Sequence, residues 1–122
     1  MFFLSMLCAA ISGFCWGFHE SLTHRYPSFK QKWEIPNRCD AFLDPRISWL
    51  NKYKNRDPKQ GRTKWPVWFT DAKHALGSIT FITIFYSGVF LAQSFGNILF
   101  EVLAVYAVYS LANSSAWNLF TK

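Results

Sequence analysis

Residues 75–100 read ALGSITFITIFYSGVFLAQSFGNILF, a run of 26 residues without a charged side chain. After Glu101, a second uncharged run continues from residue 102 to residue 121. A helix needs about 20 apolar residues to cross a bilayer, because each residue adds about 1.5 Å to its length. The two runs together are too long for one span, and the turn-forming segment QSFGN at 93–97 divides them into two.

A third uncharged run lies between Met1 and Phe18. It has no basic residues ahead of its apolar part and no small-residue cleavage site before His19, which favours a retained helix over a cleaved signal peptide. The sequence thus predicts an all-α membrane protein, a single membrane domain over residues 1–122 with three transmembrane helices at about 2–24, 74–94 and 97–119. Residues 25–73 are predicted to form a cytoplasmic cap loop rich in prolines and aromatic residues, with a short helical turn near 45–52.

The positive charge of the chain is concentrated in this loop. Residues 25–73 hold twelve of the thirteen Lys and Arg residues but only five carboxylates. By the positive-inside rule, the loop is cytoplasmic. The prediction is a multi-pass protein of the plasma (inner) membrane with its N-terminus outside and its C-terminus in the cytoplasm; a viral membrane is the alternative. The loop is expected to contact anionic lipid head groups of the bilayer.

Four polar residues are predicted to meet where the loop joins the spans. Glu20 and His24 end the first span, and Asp71 and His74 begin the second. Their i,i+4 and i,i+3 spacings let each pair lie on one helix face. Because imidazoles and carboxylates bind divalent metals such as Zn²⁺, we predict His24, Asp71 and His74 as ligands and Glu20 as catalytic base or fourth ligand. A purely structural polar cluster is the alternative, and His19 is not expected to join, because it lies about 140° from His24 around the helix.

Two further groups of residues are predicted to serve this site. Ser110, Asn113 and Ser114 share one face of the third span and are expected to support the metal site, with helix packing as the alternative. Loop residues with cationic, amide or aromatic side chains are predicted to hold a substrate or an anionic partner: Trp49, Asn51, Lys52, Tyr53, Lys54 and Arg56. Interleaved cations and aromatic rings also fit nucleic acid, an interpretation ranked behind the lipid surface because a cytoplasmic loop is basic by topology.

The loop and its flanks resemble a group of small uncharacterised membrane proteins of bacteria and their viruses. The resemblance lies in ESLTH at 20–24, PRISWLNKYKN at 45–55, DPKQG at 57–61 and FTDAKH at 69–74. The group shows an acidic-x-x-x-His, an S-W-x-N-K-Y-K-N, a D-P-K-Q-G and a T-D-x-x-H pattern, and typically has Asp where this chain has Glu20. No activity is assigned to the group, so the resemblance implies that these residues belong together but implies no reaction.

Three functions remain open from the sequence. The first is a metal-dependent membrane hydrolase acting on a lipid or another amphiphile. The second is a non-catalytic membrane subunit or a viral membrane or assembly protein, whose basic loop docks an anionic lipid, nucleic acid or protein. The third is a small channel or transport subunit, which would require a homo-oligomer or a larger membrane complex, because three spans are too few to enclose a pore.

Overall fold

A computed structural model of the chain describes residues 1–63, 66, 70–94 and 96–121. Three long helices dominate it and are long and apolar enough to cross a membrane: α1 (Phe2–Lys32), α4 (Ala72–Ala92) and α5 (Ile98–Thr121). Between α1 and α4, the described residues form two short helices and four single 3₁₀ turns: α2 (Asp40–Leu43), α3 (Pro45–Ser48), Asn37–Cys39, Trp49–Lys52, Lys54–Arg56 and Pro58–Gln60. The prediction of an all-α membrane protein with three apolar spans is confirmed.

The first helix is longer than predicted. The sequence places the span at about residues 2–24, and Pro27 follows it; inside a helix a proline removes a backbone donor, and its ring collides with the preceding turn. Instead, the backbone leaves the helical region at Arg25 (φ −133°, ψ 23°), and the helix then continues to Lys32. This break puts Pro27 in the first turn of a new helical segment, where a missing N–H costs little. The proline therefore kinks the helix and does not end it.

Helix α1 packs against α5 through two glycines. A Cβ added at Gly13 would collide with the backbone carbonyl of Tyr109, and one added at Gly17 would collide with the carbonyl of Asn113. Glycines four residues apart expose a strip of bare backbone, which lets two helices approach closely. Because 13 faces 109 and 17 faces 113, the two helices run in the same direction.

A second face of α1, about 100° round the helix from the first, is joined to α4 by hydroxyl groups. The Ser5 hydroxyl donates to the carbonyl of Ser87 (2.8 Å), and the Ser87 hydroxyl donates to the carbonyl of Ser5 (2.9 Å). The Ser12 hydroxyl likewise donates to the carbonyl of Thr80 (3.2 Å). These pairs fix an antiparallel register. Helix α1 is thus the centre of the bundle, and α4 and α5 have few contacts with each other.

The end of the bundle nearest the loop is closed by an aromatic cluster around Phe120. Its ring lies 4.3 Å from that of Phe18 and 5.7 Å from those of Phe14 and Phe29, measured between centroids. Beside it, the Lys32 ammonium donates to the carbonyl of Leu119 (2.6 Å) and so satisfies one of the last free carbonyls of α5. These contacts hold the C-terminal end of α5 against the kinked end of α1.

Candidate functional site

The cap loop is held to the bundle by its buried polar groups. The side-chain amide of Asn51 donates to the carbonyls of Ala41 (2.5 Å) and Thr70 (2.7 Å). Those two bonds use both amide hydrogens and join α2 to the residues that precede α4. Asn51, predicted to hold a substrate or partner, therefore has a structural role in the fold.

Two carboxylates fix the first half of the loop. Asp40 accepts hydrogen bonds from Lys30 (2.5 Å) and Tyr26 (2.6 Å) on the kinked part of α1, and these bonds hold the pKa of Asp40 below its usual value. Asp44 caps α3 through the backbone N–H of Arg46 (3.0 Å) and also accepts from the guanidinium of Arg46 (2.7 Å). Hydrogen bonds from the Arg46 side chain lower the pKa of Asp44 in the same way.

The second half of the loop forms a small turn that we call the basic hairpin, residues 52–63. Tyr53 and Arg62 form an antiparallel bridge, flanked by hydrogen bonds from the Lys54 N–H to the Gly61 carbonyl (3.0 Å) and from the Thr63 N–H to the Lys52 carbonyl (2.8 Å). Gly61 adopts φ 77°, a conformation that glycine reaches without strain. The DPKQG segment of the sequence therefore forms the turn of this hairpin.

The basic hairpin presents its charges to solvent. Lys54, Arg56, Lys59 and Arg62 are exposed, and within the described part of the chain none of them forms an ion pair. The two aromatic residues of the predicted set, Trp49 and Tyr53, contact Lys52 and each other. The Lys52 ammonium lies 5.5 Å from the centroid of the Trp49 ring and 5.3 Å from that of the Tyr53 ring, and the two rings meet edge to face.

Glu20 and His24 form the first predicted pair, with 3.2 Å between Oε2 and Nε2. Glu20 lines a groove of about 380 Å³ against α5, where Asn113 and Ser114 also lie. Ser110 is not among the described residues that line this groove. The His24 side chain is 60% exposed, and Glu20 is its only ionic partner among the described residues.

Asp71 and His74 form the second pair, at the start of α4. Asp71 is 1% exposed; its Oδ1 accepts the backbone N–H of His74 (2.9 Å), and its Oδ2 lies 2.7 Å from the ring Nδ1 of His74. Aspartate is a favoured N-cap residue, because its carboxylate satisfies a free N–H of the first turn. The same carboxylate also orients the His74 imidazole and leaves Nε2 available to another partner.

Glu20 of the first pair lies against α5, whereas the second pair belongs to the start of α4. His19 lies on the face of α1 that meets α4. Continuing the Ser5–Ser87 and Ser12–Thr80 register along the helices places His19 level with Lys73. His19, Lys73 and His74 line one cavity of about 440 Å³. The His19 ring stacks on Trp16 at 4.8 Å, and its Nδ1 is 3.3 Å from Glu20 Oε1 without forming a hydrogen bond. The sequence-based prediction left His19 out of the site.

The metal site predicted from sequence is not assembled by this geometry. Among the described residues, no group of three or more His, Cys, Asp or Glu side chains is close enough together to hold a metal ion. The ligand set of His24, Asp71 and His74 stays a prediction, as does the catalytic role of Glu20. What the structure brings together is two acid–imidazole pairs with His19 between them: its Nδ1 lies 3.3 Å from Glu20 of the first pair, and it lines one cavity with His74 of the second.

Comparisons with known proteins identify no relative: no family model, no curated protein and no solved structure matches the chain. The function must therefore be argued from the geometry alone.

Proposed function

We propose that this chain is a non-catalytic multi-pass membrane protein whose basic hairpin binds the anionic head groups of its own membrane. The observation that carries the proposal is the hairpin itself, in which backbone hydrogen bonds hold a set of exposed cations in place. Residues 52–63 contain five cations and one carboxylate, and that carboxylate, Asp57, accepts hydrogen bonds from the Lys59 N–H and the Gln60 side chain within the turn. A cation near an anionic leaflet contributes about 1 kcal/mol to membrane attraction.

The geometry favours a lipid surface over nucleic acid. Binding of single-stranded nucleic acid without sequence preference relies on aromatic faces that are free to stack on bases. Trp49 and Tyr53 instead contact each other and the Lys52 ammonium. A surface of anionic head groups requires only exposed cations, and a turn whose backbone is already hydrogen-bonded loses less conformational entropy on binding than an unstructured segment does.

Hydrogen exchange of the full-length protein in nanodiscs tests this proposal. The protein is placed in discs of phosphatidylcholine alone or with 30 mol% (roughly one lipid in three) phosphatidylglycerol. The amides of the hairpin should exchange more slowly in the discs that contain the anionic lipid. The Lys54→Gln, Lys59→Gln double variant should lose about 2 kcal/mol of this attraction, about 30-fold in the docking equilibrium. The matched Lys54→Arg, Lys59→Arg variant keeps the charges and should behave as wild type. Equal protection in both lipids, or in both variants, would contradict the proposal.

A metal-dependent hydrolase is the second candidate, and the Asp71–His74 pair is the observation that favours it. A buried carboxylate bonded to Nδ1 is the arrangement that orients an imidazole for metal binding through Nε2. In that case His74 and His24 would be among the metal ligands, and Asp71 would hold the His74 ring in the orientation that binds the metal. Elemental analysis of the purified protein decides between the candidates: a stoichiometric metal that is lost in His74→Ala would support this one, and a folded protein with no metal would refute it.

A further inference from the structure

The cavity between α1 and α4 has both polar and apolar residues in its lining, unlike the exposed cations of the basic hairpin. Its polar lining comes from His19, Lys73, His74 and Ser78, and it measures about 440 Å³. Lys73 forms no ion pair with any residue that the structure describes, although its charge lies close enough to act on the His19 ring. An ammonium group and two imidazoles thus converge on one space at the loop end of the bundle.

Both neighbouring carboxylates contact an imidazole of this cavity without lining it: Glu20 Oε1 lies 3.3 Å from His19 Nδ1, and Asp71 Oδ2 lies 2.7 Å from His74 Nδ1. Asp71 is buried and bonded to the backbone and ring of His74, and Glu20 lines the groove on the α5 side of α1. Neither is among the described residues that line the cavity. The described lining therefore presents an ammonium group and two imidazoles and no carboxylate, and cations and hydrogen-bond donors are the groups that bind an oxyanion.

The lining changes from polar to apolar along α4. Residues 74, 77, 78, 81 and 82 recur at helical spacing and form one face of this helix, on which Phe81 and Ile82 are 72% and 42% exposed. Phe81 lies about 10 Å further along the helix axis than His74, at 1.5 Å per residue. A head group held at the polar end would therefore have its hydrocarbon chain beside Phe81 and Ile82.

We propose that this cavity is a specific site for one anionic phospholipid, whose phosphate is bound by Lys73, His19 and His74 and whose acyl chain lies along Phe81 and Ile82. This site is separate from the basic hairpin and does not depend on it, because the two share no residue. The occupant is a membrane amphiphile and not free phosphate, since the apolar part of the lining continues directly from the polar part.

A substitution at Gly77 can fill the cavity without changing any charged residue. Gly77 lines the cavity, and a Cβ added there would meet no atom of the described residues within 4 Å, so that a leucine side chain would extend into the open space. Gly88 lies on the same helix, outside the lining, and is equally free of neighbours. Gly77→Leu and Gly88→Leu are therefore matched variants, both favourable to the helix.

Native mass spectrometry of the detergent-purified protein, titrated with phosphatidylglycerol or phosphatidylcholine, provides the test. The wild-type protein should bind one phosphatidylglycerol at least about tenfold more tightly than phosphatidylcholine, because both lipids carry a phosphate but the trimethylammonium group of phosphatidylcholine would be repelled by the Lys73 ammonium. Gly77→Leu should lose this tight binding, and Gly88→Leu should keep it. Lys73→Gln should bind both lipids equally, whereas Arg38→Gln, which removes an exposed cation elsewhere in the loop, should keep the preference.

Three results would overturn the proposal. One is equal binding by Gly77→Leu and Gly88→Leu with circular dichroism showing both folded. Another is equal affinity of the wild-type protein for the two lipids. The last is displacement of the bound lipid by millimolar inorganic phosphate, which would identify a site for free oxyanions. The Lys54→Gln, Lys59→Gln variant should retain the single tight lipid, so that failure of the hairpin proposal and failure of this one are distinguishable.

Discussion

Alanine at Gly13 should destabilise the bundle, whereas alanine at Gly88 should stabilise it. A Cβ at Gly13 would collide with the backbone of Tyr109 and press on Ala112, but at Gly88 it would meet no atom within 4 Å. Exchanging glycine for alanine inside a helix gains about 1 kcal/mol at either position. Forcing a methyl group into a packed contact costs about 1–3 kcal/mol. The two variants should therefore differ by about 1–3 kcal/mol, because the gain in helix propensity is common to both and cancels.

Reversible unfolding in mixed micelles, followed by far-ultraviolet circular dichroism as the denaturing detergent is increased, measures this difference. Gly77→Ala is a second control, since that position is also free of neighbours, and it should match Gly88→Ala. If Gly13→Ala and Gly88→Ala unfold within about 0.5 kcal/mol of each other, the close approach of α1 and α5 is wrong, and with it the placement of Glu20 against α5.

The remaining predictions concern the cap and the α1–α4 contact. Glu34→Gly should stabilise the protein by about 1 kcal/mol in the same assay, because Glu34 holds a left-handed conformation (φ 49°) that glycine adopts without strain; Glu34→Ala should show no such gain. Ser5→Ala and Ser87→Ala should each cost about 0.6–1.7 kcal/mol, and the double variant should cost less than their sum, because the two hydroxyls also contact each other at 3.1 Å; strict additivity would contradict this. Acid should loosen α3, because hydrogen bonds from Arg46 lower the pKa of Asp44. The stability that this carboxylate contributes is complete above its unfolded pKa of about 3.9 and is lost as the pH falls through the lower folded value. Hydrogen exchange at α3, corrected for the intrinsic rate, should therefore change below about pH 4, and a change already present at pH 6 would refute the assignment.

The spans were predictable from the sequence because a bilayer imposes length and apolarity on any helix that crosses it. Helices α4 and α5 begin and end within two residues of the predicted spans. The first helix continues past the predicted span of about residues 2–24, to Lys32. Whether Pro27 ends or kinks α1 depends on whether one residue, Arg25, can leave the helical region, and the packing of Tyr26 and Phe29 in the buried cluster favours continuation.

The loop motifs were recognised but their roles could not be read from the sequence. Asn51 and Gly61 belong to the segments that carry the resemblance, and each has a local structural role. Asn51 joins α2 to the residues before α4, and Gly61 adopts a left-handed turn. Roles of this kind depend on backbone carbonyls that lie far away in sequence or on a backbone angle, and residue type alone does not show them. The exposed cations between these residues are the part of the motif left to contact a partner.

The four residues of the predicted site form two pairs in the structure, and the faces of the central helix α1 explain why His19 lies beside the second pair. Consecutive residues on a helix point about 100° apart, so that His19 and Glu20 address different neighbours when a helix has a partner on each side. Ser5, Ser12 and His19 recur every seven residues and share the face that meets α4, whereas Gly13, Gly17 and Glu20 share the face that meets α5. The seven-residue spacing of Ser5, Ser12 and His19 could therefore have predicted that His19 faces the same helix as the two serines.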